Sequence, residues 1–214
     1  MTRSVLRAAL TAATLAIAAP TIAGCSDASG GGSATSTPAT SAPLLNSERI
    51  ELTFGSYGIE VLNQSDSERI SDLYSGMGDD RTTRTFAVVA YPSTIDDALA
   101  DEHATIVGGG SIGSTFRDAG WTIDKIDTYV GELPAADVPA RAFELMRIEP
   151  DDLAMHVYRF DVSRDGDPIE YATIVELHHP DYLTAGQLVD IFGESPSDAP
   201  DVALIADIAR AAQF

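Results

Sequence analysis

Two runs rich in β-branched and aromatic residues flank a short polar segment in the second half of the chain. They extend from Leu153 to Ser163 and from Ile169 to His178, and the dipeptide Asp165-Gly166 lies between them. Asp-Gly is favoured in tight hairpin turns because both residues tolerate a positive φ. The sequence therefore predicts a β-hairpin here, and with it a fold that contains an antiparallel sheet.

Other segments repeat the two periodicities that distinguish strands from helices. Alternating or continuous apolar residues predict further strands at 49–54, 57–62, 69–75, 82–91 and 121–133. Helical spacing and capping residues predict helices at 95–107, 137–148 and 185–192, with a short one that ends at Gly120. We therefore expect an α+β fold, a single domain with a mainly antiparallel sheet and helices packed on one face.

The first 24 residues have the composition of an export signal. They contain Arg3 and Arg7, no acid, and an almost uninterrupted apolar run from Ala8 to Ile22. This run is shorter than the roughly 20 residues that cross a membrane, so it indicates a cleaved signal peptide. The segment ends in Ile22-Ala23-Gly24-Cys25, which resembles the lipobox of bacterial lipoproteins.

The resemblance implies that Cys25 becomes the first residue of the mature protein and carries acyl chains, palmitate among them. It would then anchor the chain to a membrane at the periplasmic or other extracytoplasmic face of the cell envelope. Cys25 is the only cysteine, so the exported domain has no internal disulfide. Residues 26–43 consist mainly of Ser, Thr, Gly, Ala and Pro. We interpret 1–24 as the signal peptide, 25–45 as the lipidated cysteine with a flexible linker, and 46–214 as the globular domain.

The chain is strongly acidic, which restricts its partners. It contains 33 Asp and Glu against 13 Lys and Arg, a formal net charge of -20. Cleavage after residue 24 would remove two arginines and no acid, and so give -22. Lys125 is the only lysine. Such a surface repels nucleic acid, which we therefore exclude as a partner.

A Gly-rich segment after the 95–107 helix fits two functional patterns. Its residues Gly108-x-Gly110-x-x-Gly113 resemble the phosphate loop of dinucleotide-binding Rossmann proteins. That motif requires a strand before the loop and a long helix after it, whereas the preceding residues favour a helix. A helix C-terminus followed by a tight loop explains the same glycines without a ligand.

The second pattern concerns the serine in this loop. Gly109-x-Ser111-x-Gly113 is similar to the nucleophile elbow of α/β-hydrolases, in which a serine is activated by a histidine and an acid. The corresponding catalytic candidates are Ser111, Asp161 and either His178 or His179.

Histidine positions in the hairpin bear on metal binding. A turn at Asp165-Gly166 pairs His156 with Val175, so His156 shares a face with Leu177 while His178 points to the other face. This arrangement separates the histidines, and we expect neither a metal nor a cofactor. A shift of one residue in the register would reverse this conclusion.

These observations predict a membrane-anchored cell-envelope lipoprotein, lipidated at Cys25, whose domain binds an envelope protein or a small molecule or assists envelope assembly. The alternative is an envelope-anchored serine hydrolase that uses Ser111 with His178 or His179.

Overall fold

The computed structural model describes residues 44–201 together with Leu204 and Ile208. The predicted signal peptide, the segment with Cys25 that resembles a lipobox and nearly all of the predicted linker therefore lie outside the described residues. Among those that are described, no helix combines the length and the apolar character needed to span a membrane.

In the described part of the chain, six strands form one antiparallel sheet in the order β1-β2-β3-β6-β5-β4. The strands are β1 (Gly58–Gln64), β2 (Glu68–Ser75), β3 (Thr82–Ala90), β4 (Thr122–Leu133), β5 (Leu153–Ser163) and β6 (Ile169–His178). The β5–β6 hairpin has the predicted bounds, and Asp165 in its turn has a φ of 58°. The central position of β3 follows from its apolar residues on both faces.

Five α-helices with both ends within residues 44–201 cover the sheet. They are α1 (Asn46–Phe54), α2 (Ala100–Val107), α3 (Ile112–Asp118), α4 (Ala140–Met146) and α5 (Ala185–Phe192). α1, α2, α3 and α5 pack on the face to which Ala87 and Val89 of β3 point. α4 packs on the other face against Phe86 and Val88, because alternate residues of β3 are apolar as well. The α+β class with a mainly antiparallel sheet is thus confirmed. We expected helices on one face of the sheet, and the structure places most of them on one face and α4 on the other.

The strand predicted at residues 49–54 is wrong, since this segment lies in helix α1. The backbone N–H of Leu45 donates to the Glu48 carboxylate (2.8 Å), and Gly55 ends the helix at a φ of 74°. Ile50 and Phe54, four residues apart, share a helical face, whereas Leu52 is 73% exposed. Over so short a run, apolar residues at every second position are compatible with the period of a strand or of a helix. The capping contacts at Leu45 and Gly55 favour the helix.

The predicted register of the β5–β6 hairpin holds only near its turn. Val162 pairs with Ile169 as expected, but a β-bulge leaves Tyr171 without a partner, so His156 pairs with Glu176 and not with Val175. The prediction that His156 and His178 point to opposite faces is therefore wrong. The extra residue places the Tyr171 ring 4.7 Å from that of Phe116, a contact that the hairpin sequence alone does not reveal.

Ile50→Ala should destabilise the domain by about 2 to 5 kcal/mol, because the Ile50 side chain is completely buried beneath α1. Leu52→Ala in the same helix is the matched control and should change the free energy of unfolding by less than about 0.5 kcal/mol. Urea unfolding of the two variants measures the difference. Equal losses would indicate the alternating burial of a strand and contradict the helix.

Candidate functional site

A cavity of about 70 Å³ lies between α1, the start of α3 and the sheet face that these helices cover. We call it the α1–α3 cavity. One part of its wall is aliphatic and includes Leu73, Ala87, Val89 and Ile174. The polar lining residues are Asn46, Ser47, Tyr57, Arg69, Ser71, Ser111, Lys125, Tyr158 and Glu176. An apolar wall combined with a few converging polar groups is typical of small-molecule sites.

Glu176 is the carboxylate of this cavity and lies on the central strand β6. Its Oε1 accepts hydrogen bonds from Asn46 Nδ2 (3.0 Å) and from the Tyr158 hydroxyl (3.2 Å). Burial by itself would raise the pKa of Glu176, but the nearby Lys125, the two histidines and the Asn46 hydrogen bond outweigh burial and lower it. Glu176 is therefore a buried anion at neutral pH.

Lys125 reaches the same cavity from the edge strand β4. Its Nζ donates to the Tyr158 hydroxyl (3.2 Å) and lies 4.3 Å from the centre of the Tyr158 ring. Burial lowers the pKa of Lys125, and the negative charge of Glu176 partly offsets this effect. Because the Tyr158 hydroxyl accepts from Lys125 and donates to Glu176, a directed chain of hydrogen bonds joins the two charged groups.

Arg69 is a second cation at this site, and its side chain is 1% exposed. Its Nη1 donates to the carbonyl oxygens of Ile106 (2.7 Å) and Gly110 (2.9 Å), and its Nε donates to Ser71 Oγ (2.9 Å). Among the ion pairs of the described residues, none includes Arg69 or Lys125. Two of the few cations in an acidic protein thus line one cavity without a direct carboxylate partner.

The bonds of Arg69 also explain the Gly-rich loop between α2 and α3. The loop follows a helix and not the strand that a dinucleotide motif requires, and Gly109 has a φ of 107°. A Cβ at Gly113 would lie 2.8 Å from the Leu45 side chain. The glycines therefore permit a tight turn and close packing, and Arg69 holds the loop against the sheet.

Ser111 is the one predicted catalytic residue that lines the cavity. It precedes α3, where its carbonyl oxygen accepts from the backbone N–H of Thr115 (2.9 Å), and its side chain lies near the Tyr57 hydroxyl. The nearby Ser111 side chain partly offsets the rise that burial causes in the pKa of Tyr57. The serine identified from the sequence thus lines the cavity, and the polar side chain near it is a tyrosine and not a histidine.

The other three predicted catalytic residues have different partners. Asp161 accepts two hydrogen bonds from Arg159, both 2.8 Å long. His179 Nδ1 accepts from the backbone N–H of Asp181 (3.0 Å). His178 Nδ1 lies 3.1 Å from Thr85 Oγ1. Among the described residues, no hydrogen bond links Ser111 to either histidine or links Asp161 to them.

The corrected register brings His156 and His178 to the same carboxylate. His156 Nδ1 lies 3.9 Å and His178 Nε2 lies 4.0 Å from Glu176 Oε2, and neither nitrogen has a hydrogen-bond partner among the described residues. The other ring nitrogen of His156 lies 2.7 Å from the Asp127 carboxylate. In the described part of the chain, no group of His, Cys, Asp or Glu is arranged to hold a metal ion.

Sequence reasoning missed most of this site. Glu176 interrupts the apolar run of β6, and a charged residue inside a covered strand is a usable signal for a buried polar site. Arg69 lies among other polar residues of β2 and gives no such signal. Lys125 is distinctive as the only lysine, but its place in an alternating edge strand predicts a solvent-exposed side chain.

The folded domain should lose stability as the pH falls from 6.5 towards 4. Burial lowers the pKa of His178 from 6.5 to about 4, and the charges that act on it are those of Glu176, His156, Arg49 and Lys125. The unfolded chain therefore binds more protons in this window, which favours unfolding by roughly 3 kcal/mol at the acidic limit. Urea midpoints should fall less steeply with acidification in His178→Gln than in the wild type. Equal pH dependences of wild type and His178→Gln would contradict the assignment.

The chain was also compared with known proteins. No protein-family model matches it, and no curated protein sequence matches it. Its function therefore has to be inferred from the cavity, the charges around it and the amino-terminal sequence.

Proposed function

We propose that this protein is a membrane-anchored cell-envelope lipoprotein whose globular domain binds a small molecule in the α1–α3 cavity. The observation that carries the binding proposal is the lining of this cavity. An aliphatic wall faces a set of polar groups that includes the buried Arg69 and the half-buried Lys125, and neither cation has an ion-pair partner among the described residues. Charged groups are rarely kept at a buried cavity unless they are paired or used.

The amino-terminal sequence supports the envelope part of the proposal. A lipid on Cys25 and a linker of small and polar residues would keep the domain close to the membrane while leaving the cavity free to meet its ligand. A tethered binding domain acts by local capture and needs no catalytic set.

Cys25→Ser should abolish incorporation of a palmitate analogue and move the protein from the membrane fraction to the soluble fraction. The reason is that the chain contains no other cysteine that could carry the thioether lipid. Metabolic labelling followed by fractionation in a bacterial host measures both effects, and Ser26→Ala is the neighbouring control. Membrane retention of unlabelled Cys25→Ser would contradict lipid anchoring through this residue.

Ala87→Leu should abolish small-molecule binding, because Ala87 is buried in the cavity wall and a larger side chain would occupy the space. A thermal-shift screen of small organic compounds on the full chain, repeated with the variant, measures this. Ala100→Leu adds the same atoms at an exposed position of α2 and should retain every hit.

Circular dichroism establishes whether Ala87→Leu is folded, and Ala87→Val provides a smaller filling variant if it is not. Hits that survive in both folded variants would contradict binding in this cavity. Labelling of Ser111 by a fluorophosphonate probe, lost in Ser111→Ala, would favour the serine hydrolase instead.

A further inference from the structure

We infer that the ligand of the α1–α3 cavity is a small organic carboxylate. Its carboxylate group would bind Lys125, and its short carbon chain would lie against the aliphatic wall. Arg69 and Ser71 of β2 would add positive potential and a hydroxyl donor to the same cavity. This inference rests on the proposed function, and it names the chemical class of the ligand.

The charges that line the cavity favour an anion. Its titratable groups that carry charge are Arg69, Lys125 and Glu176, two cations and one carboxylate. Oε1 of Glu176 already accepts from Asn46 and Tyr158. An incoming anion would therefore complete a cluster that has an excess of positive charge.

The hydrogen-bond donors in the cavity have unused capacity. The Lys125 ammonium has three N–H groups, and its bond to Tyr158 uses one of them. Ser71 Oγ accepts from Arg69 Nε at 2.9 Å, so the hydroxyl hydrogen of Ser71 remains free to donate. Arg69 thereby orients Ser71 and adds positive potential behind it. Charge-assisted hydrogen bonds from such donors are the strongest contacts that a carboxylate forms in proteins.

The wall and the volume limit the rest of the ligand. Ile59, Leu73, Ala87, Val89 and Ile174 offer apolar surface that a fully hydrated anion such as phosphate could not use. The volume of about 70 Å³ is well below the roughly 300 Å³ at which drug-sized sites begin. A monocarboxylate with a chain of a few carbons satisfies the charge, the apolar wall and the size together.

Calorimetric titration of the purified full chain tests this with propionate, 1-propylamine, 1-propanol and inorganic phosphate. Propionate should bind with a dissociation constant on the order of 1 mM or tighter, and the other three should not bind. Lys125→Met should weaken propionate at least about tenfold, and Lys125→Arg should restore most of the loss because it keeps the charge.

Glu176→Gln distinguishes the sign of the ligand charge. It preserves an oxygen for Asn46 and Tyr158 but removes a negative charge, so it should tighten propionate binding severalfold. Glu170→Gln, at an exposed position of the same strand, and Arg141→Met, on the opposite face of the sheet, should leave binding unchanged.

The outcomes separate the ligand class from the site. Binding of the amine, the alcohol or phosphate in place of propionate, blocked by Ala87→Leu, overturns the carboxylate class and leaves the cavity as the binding site. Propionate binding that is unaffected by Lys125→Met and Ala87→Leu also overturns the inference. If none of the four probes binds and the compound screen gives no hit sensitive to Ala87→Leu, the proposed function fails as well.

Discussion

Glu176 lies on the central strand β6, and its buried carboxylate is contacted by residues of α1 and of the strands around it. Asn46 of α1 and Tyr158 of β5 donate to Oε1, and His156 and His178 flank Oε2 at 3.9 and 4.0 Å. A buried carboxylate is tolerated only where hydrogen bonds and opposite charges replace water. The network around Glu176 thus fixes how α1 and the neighbouring strands meet on this face.

The same requirement gives the cavity its chemical character. Lys125 lowers the pKa of Glu176 through space without contacting it directly, and Tyr158 connects the two through hydrogen bonds. Arg69 donates hydrogen bonds to the Gly-rich loop and to Ser71, so its side chain stabilises the packing of the loop on the sheet. The same side chain contributes a positive charge to the cavity. The residues that support the fold here are therefore the same ones that the proposal assigns to ligand recognition.

The sequence predicted the fold correctly where long apolar runs and turn residues indicated the same element, and incorrectly where an apolar run was only a few residues long. The β5–β6 hairpin has long apolar runs on both sides of a turn dipeptide, and its bounds are as predicted. Residues 49–54 contain only three apolar positions, which fit a strand or a helix, and the capping contacts of Leu45 and Gly55 selected the helix. For the site, Ser111 was identified from its motif, while Glu176 was hidden within a strand whose register depended on one bulge.

The sequence by itself determined the α+β class, the hairpin, the absence of a disulfide and the acidic surface, because composition and short-range periodicity specify these properties. It also supplied the lipobox resemblance on which the envelope proposal rests. Only the tertiary structure decided that Glu176 lies between His156 and His178 and shares a cavity with Lys125. The reason is that one extra residue, Tyr171, shifts the pairing of β6 with β5, so that the residues of β6 after it point to the opposite face from the one predicted. The Tyr171 ring packs against Phe116, which belongs to a helix distant in the sequence.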